Sequence, residues 1–237
     1  MKKHIPNLLT CCNVLLGSLS IVFAFNGFFE TAALLILGAA AFDFLDGFAA
    51  RLLNVKSTIG LDLDSLADVI SFGLAPAVIL FVWMSFCFTN LPPELQFFPL
   101  TLLPYCAFTI VPFSAYRLAK FNNDERQTNE FYGLATPANA FFIAFLPFAA
   151  AKLPLLDNFW VLLGLTFIFS LLLVSELPMF SLKFTTFGFK KNTTRYLFLI
   201  LSAVLVVAFQ LAAFPIIVLL YIFISLIQFG LTKILHS

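Results

Sequence analysis

Long apolar runs broken at short intervals by polar clusters set the pattern of this chain. They cover approximately residues 8–25, 31–53, 61–88, 97–119, 134–152, 155–175, 195–211 and 214–235. Each is near the ~20 residues a helix needs to cross a bilayer's hydrocarbon core. The pattern therefore predicts an all-α integral membrane protein, a polytopic bundle of about eight transmembrane helices in one domain over residues 1–237. Pro76 in the third run, Pro104 and Pro112 in the fourth and Pro147 in the fifth predict kinks, which bilayer helices tolerate when neighbours satisfy the freed carbonyls. Only Ala212 to Pro215 separates the last two runs, so a re-entrant pair is the alternative there.

The first run follows Lys2 and Lys3, as the apolar stretch of a signal peptide would. No small-residue cleavage site follows it, and Asn7, Thr10 and Asn13 are unusual in such a stretch, so it reads as the first span. Those three residues are spaced by three and form a polar ladder on one face of the helix. Interhelical hydrogen bonding and ligand contact both fit that ladder.

Composition agrees with the pattern: 62% of residues are hydrophobic, 11% are charged, and the 33 Phe suit a lipid-facing surface. A net charge of +1 without a basic run offers nothing to nucleic acid. Cys11, Cys12, Cys87 and Cys106 form no C-x2-C pair and read as small apolar packing residues, while His4 and His236 read as solvated ends.

Basic residues set the orientation. With the N-terminus cytoplasmic, Lys2, Lys3, Arg51, Lys56, Arg117, Lys120, Arg126, Lys183, Lys190, Lys191, Arg195 and Lys233 fall inside, twelve of the 13, and Lys152 falls outside. Both termini are then cytoplasmic, with Glu30, Glu94 and Asp157 in outer loops. The expected location is the cell (inner) membrane. The Ser181–Thr194 segment, carrying Lys183, Lys190 and Lys191, suits contact with anionic lipid heads.

Against this apolar background the stretch Asp43-x2-Asp46-Gly47-x2-Ala50-Arg51-x8-Gly60-x3-Asp64-x3-Asp68 stands out. A charge at the centre of a bilayer helix costs about 2.5–3.5 kcal/mol on insertion scales, so four carboxylates call for a cationic ligand, water or a partner. With Asp43 at zero, Asp46 lies at about −60°, Gly47 at about +40° and Ala50 at about −20°, which is one helical stripe. On the next helix Gly60, Asp64 and Asp68 fall within about 80° of one another. Asp62 lies about 160° from Asp64, off the stripe. Gly47, Ala50 and Gly60 leave room beside the acids, so the two stripes predict a cleft, and the Arg51–Lys56 loop places its opening toward the cytoplasm.

Hard divalent cations take oxygen ligands, and paired Mg2+ or Mn2+ ions about 4 Å apart are a common clamp for phosphoryl displacement. Asp43, Asp46, Asp64 and Asp68 supply such a site, and Arg51 can neutralise a diphosphate. Two other readings stay open: a structural Asp–Arg network, and a cation transporter with intramembrane carboxylates. Arg117 and Lys120, i and i+3 at a helix end, are either snorkelling anchors or contacts for an anionic substrate.

The positions Asp43, Asp46, Gly47, Ala50, Arg51, Gly60, Asp64 and Asp68 match without departure the signature of the CDP-alcohol phosphatidyltransferase family, which this chain therefore resembles. The resemblance implies a multi-span enzyme that needs Mg2+ or Mn2+, with two ions expected, and exchanges the CMP of a CDP-lipid for an alcohol. It implies Asp43, Asp46 and Asp64 as metal ligands, and Asp68 as general base at or beside the metals. Gly47, Ala50 and Arg51 correspond to nucleotide and diphosphate contacts, and Gly60, Asn7 and Thr10 join them as candidate CDP-lipid-binding residues. Ile5-Pro6-Asn7-x2-Thr10-x2-Asn13-x3-Gly17, Leu63 to Pro76, Tyr116 to Asn122, Gly133 to Ala138 and Val174-Ser175-x2-Pro178 look like the phosphatidylserine synthase branch. Two positions depart from that branch: Lys120 stands where it often has Arg, and Ala135 where it often has Pro. The implied reaction transfers a phosphatidyl group from CDP-diacylglycerol to L-serine, with Arg117, Lys120 and Asn122 as acceptor contacts. Glycerol 3-phosphate and inositol phosphate are the alternative acceptors. Membrane lipids are the remaining expected partners; the sequence allows a homodimer but does not demand one.

Overall fold

The computed structural model describes residues 4–55, 58–124, 131–180, 188 and 192–235. Lys2, Lys3, Lys56, Arg126, Lys183, Lys190, Lys191 and His236, which entered the reading of orientation and termini, lie outside the described residues. The architecture is helical, in the order α1 His4–Phe25, α2 Phe29–Leu52, α3 Thr58–Asp68, α4 Ala75–Thr89, α5 Ile110–Asn123, α6 Thr136–Ala150, α7 Phe159–Val174, α8 Thr193–Phe209 and α9 Ala213–Leu235. A departure from the all-α expectation is a two-residue antiparallel ladder, β1 Phe131–Tyr132 with β2 Pro178–Met179. It ties the segment before α6 to the segment after α7.

Among the described residues five helical stretches are long and apolar enough to cross a membrane: His4–Phe25, Phe29–Leu52, Thr58–Thr89, Leu100–Asn123 and Thr193–Phe229. α6 and α7 are apolar but shorter, at 15 and 16 residues, so length and composition do not by themselves give the expected count of eight. The stretch Thr193–Phe229 is divided at Gln210, where φ is +53°. A 3-10 turn follows at Gln210–Ala212, just before the predicted break. α9 then returns along α8, with the rings of Phe198 and Tyr221 5.9 Å apart.

Small residues let α1 and α2 approach closely. α1 buries Pro6, Thr10, Asn13, Gly17, Ser20 and Ala24, a stripe at three- and four-residue spacing, and Ser20 donates to the Ala32 carbonyl of α2 at 2.8 Å. The same stripe receives a six-residue π-helical turn, Val69–Leu74, inserted between α3 and α4. There Ala75 N–H reaches five residues back to Ile70, and Pro76 begins the next helix without an N–H to give, which is the predicted irregularity displaced upstream of the proline. A Cβ on Gly17 would stand 2.7 Å from Ser71 Cα, so only glycine admits this turn against α1. Ser71 donates to the Asn13 carbonyl at 3.0 Å, and Gly73 packs on Ser114 of α5. Pro104 lies in a 3-10 stretch, Leu100–Thr109, that leads into α5.

At the opposite end of α4, Trp83 Nε1 and Cys87 Sγ both donate to Asp157 Oδ1, at 2.9 and 3.3 Å. Cys87 thus does more than fill space, and the acid expected in an outer loop pins the α6–α7 connection to α4. All four cysteines are free.

Candidate active site

α2 and the α3 continuation bring the acids together as the two stripes require. Carboxylate oxygens of Asp43, Asp64 and Asp68 lie within 4.8 Å of one another, a separation one cation can bridge. Asp43 and Asp64 are half-buried, Asp68 is buried, and one oxygen each of Asp64 and Asp68 has no hydrogen-bond partner. Clustered carboxylates with unspent lone pairs are the donor set of a hard divalent ion, so these residues fit one. Asp62 is exposed, as its position off the stripe requires.

Asp46 is the fourth acid but takes a separate position. Its Oδ2 accepts the Thr10 hydroxyl at 2.6 Å, which turns the carboxylate toward α1. At Thr10 the polar ladder makes an interhelical hydrogen bond, and its partner is a site acid. Asn7 is half-buried, off the buried stripe and absent from the cavity wall described next, so the structure separates it from Thr10.

A cavity of about 490 Å3 opens between α1, α2 and α3, lined by Pro6, Thr10, Asp46, Gly47, Ala50, Val55, Thr58, Gly60, Leu61 and Asp64. That is ample for part of a small-molecule substrate. A Cβ on Gly47 would meet no atom within 4 Å. Packing therefore does not demand glycine there, and the position opens onto the cavity. Arg51 is exposed and donates its Nε–H to the Gly47 carbonyl at 3.1 Å, one turn back, so it sits at the rim.

The acceptor candidates part company. Arg117 is buried, at 8% exposure, which is not what a snorkelling anchor would show. Its Nη1 donates to Thr136 Oγ1 of α6 at 3.3 Å, and its guanidinium lies 5.5 Å over the Phe121 ring. Lys120 instead pairs with Glu176 at 3.1 Å, on a partly exposed surface. Asn122 donates to Ser65 at 2.7 Å and ties α5 to α3 beside Asp64.

Sequence reasoning passed over Ser114, Thr136 and Asn139, all fully buried around Arg117. The signal was there: Ser114 is three residues before Arg117, and Thr136 and Asn139 are three apart at the start of an apolar helix. Glu176, the partner of Lys120, carried no comparable signal, because nothing local to it indicates a residue 56 positions away.

Comparison with known proteins bears on the same residues. Over 237 residues the chain is 30% identical to the CDP-diacylglycerol–serine O-phosphatidyltransferase of Helicobacter pylori, covering 98% of this chain and 94% of that protein. It is 34% identical over 186 residues to the protein of that name from Mycobacterium leprae, covering 74% of this chain and 57% of the relative. With the Bacillus subtilis protein of that name it shares 32% over 146 residues, 62% of this chain and 76% of the relative. Residues 3–174, which hold every acid of the site, match the CDP-alcohol phosphatidyltransferase family, and the chain belongs to that family.

Proposed function

We propose that the protein is a phosphatidylserine-forming enzyme of eight spans, transferring the phosphatidyl group of CDP-diacylglycerol to the hydroxyl of L-serine with release of CMP. The observation that carries this reading is the convergence of the Asp43, Asp64 and Asp68 carboxylates within 4.8 Å. The printed names of the Helicobacter, Mycobacterium and Bacillus relatives support serine as the acceptor.

Asp43, Asp46, Asp64 and Asp68 would hold Mg2+ or Mn2+, two ions in this reading. Bound there, the metals would offset the charge of the diphosphate. Gly47, Ala50 and Gly60 leave the wall flat for the nucleotide, and Arg51 at the rim faces the incoming phosphates. Asp68 takes the proton of the serine hydroxyl; the freed oxygen attacks the lipid-bearing phosphorus, the bond from that phosphorus to the bridging oxygen breaks, and CMP departs with the electron pair. Arg117 holds the serine carboxylate, and burial strengthens that contact because no water competes for it.

In this reading α6 and α7 also span the membrane, both termini and the cleft face the cytoplasm, and the enzyme resides in the inner membrane. The distribution of basic residues supports that orientation. A phosphorylated acceptor would need a denser cationic pocket than Arg117 provides once Lys120 is paired.

The experiment is CMP release by the purified protein supplied with CDP-diacylglycerol, Mn2+ and a panel of alcohols. Serine-dependent release is expected. Release with another alcohol alone would reassign the acceptor, and cation flux in vesicles without any release would favour a transporter.

A further inference from the structure

Three buried polar residues on α5 and α6 have side-chain atoms without partners. Arg117 Nε has none, although Nη1 of the same side chain is bonded to Thr136. Ser114, one turn earlier on the same face of α5, is fully buried with an unpaired hydroxyl. Asn139, one turn beyond Thr136 on α6, is fully buried, and neither its oxygen nor its nitrogen is bonded. Ser114 packs on Gly73 in the π turn, α6 packs against that turn as well, Arg117 joins α5 to α6 through Thr136, and helical spacing puts Asn139 on the face of Thr136. Native interiors pair their buried polar groups, so several orphans facing one locality point to a polar occupant.

The chemistry of the orphans limits that occupant. Arg117 Nε–H is a charged donor and asks for an anion. Asn139 Oδ1 and Ser114 Oγ can accept from an ammonium N–H, and the Asn139 amide N–H and Ser114 O–H can give to an anion. An α-amino acid presents both on one carbon. A phosphorylated alcohol has hydroxyl donors for Asn139 Oδ1 but no cationic group, and its phosphate would bring more negative charge to a site already rich in carboxylates.

We infer that Ser114 and Asn139 are specificity-determining residues that accept hydrogen bonds from the α-ammonium of the acceptor while Arg117 takes its carboxylate. The inference deepens the proposed function and rests on it, because it identifies what separates serine from other hydroxy acids at this site.

The test is initial-rate CMP release with L-serine, with glycerate (a hydroxyl in place of the ammonium) and with ethanolamine (no carboxylate), for wild type, Asn139→Ala, Asn139→Leu, Asn139→Asp and Ser114→Ala. Losing a hydrogen bond to a charged group raises the serine KM about tenfold or more in Asn139→Ala and Ser114→Ala. The KM for CDP-diacylglycerol stays within about twofold of wild type, since neither residue lines the cavity between α1, α2 and α3. The preference for serine over glycerate narrows by a similar factor, while that for serine over ethanolamine, set by Arg117, persists. Asn139→Asp retains an acceptor oxygen and keeps the serine preference, whereas Asn139→Leu fills the same volume without an acceptor and raises the serine KM as the alanine does, so it carries the test should the alanine variants fail to insert. A serine KM unchanged in all variants, or both substrate KM values rising together, would overturn the inference and leave the proposed function standing. A wild-type enzyme that ignores serine and uses another alcohol would overturn both.

Discussion

Thr10 on α1 donates its hydroxyl to Asp46 on α2 at 2.6 Å. This bond joins the first helix to the acid motif and separates Asp46 from the close trio of Asp43, Asp64 and Asp68. A hydrogen bond to a charged group contributes about 1.5–3 kcal/mol. Thr10→Val keeps the shape and removes the donor, so Mn2+ affinity measured on the purified protein should fall by roughly tenfold or more. Unchanged affinity would mean that Asp46 needs no help from α1.

Replacing Asp43, Asp46, Asp64 or Asp68 singly by Asn should abolish CMP release without preventing insertion, because Asn preserves shape and removes charge. Asp62→Asn, at an exposed position, should retain most activity. Full turnover in any of the four would remove that residue from the site, and a loss in Asp62→Asn equal to that in Asp64→Asn would deny the stripe.

Arg117 and Arg51 should separate in kinetics. Arg117→Ala is expected to raise the serine KM by roughly 10- to 100-fold with little change for CDP-diacylglycerol, and Arg51→Ala to do the reverse. An Arg117→Ala enzyme with wild-type serine KM would sink the carboxylate assignment and leave the acids untouched.

Gly17→Ala should destabilise the folded protein by about 1–3 kcal/mol, the usual cost of overpacking. The added Cβ meets the Ser71 backbone, which cannot rotate away as a side chain would. Thermal unfolding in detergent reads this directly, and a melting temperature equal to wild type would show that the π turn is free to shift.

The orientation is open to single-cysteine labelling in a cysteine-free background. Positions 56, 127 and 190 should react from the cytoplasm, and Glu94, exposed in the α4–α5 connection, from the other side. Labelling of position 127 from outside would reverse the cleft.

Apolar runs and helical periodicity are local properties, so the sequence alone determined the helical class, the places of the helices and the two acid stripes. The carboxylates at 43, 64 and 68 meet because α2 and α3 are joined by a short loop, and spacing along each helix then fixes which side chains face the partner. Near Pro76 the sequence indicated an irregularity, but its form as a π turn depended on Ser71 and Gly73 finding Asn13 and Ser114 on other helices. Only the tertiary structure decided that Thr10 serves Asp46, that Lys120 is spent on Glu176, and that Arg117 is buried and bonded to Thr136. Each of these joins residues on different elements, and a side chain's partner across a helix interface follows from packing angle and register, neither of which periodicity within one helix contains. The short ladder between β1 and β2 is of the same kind, since two residues carry no pattern until the chain returns to pair them.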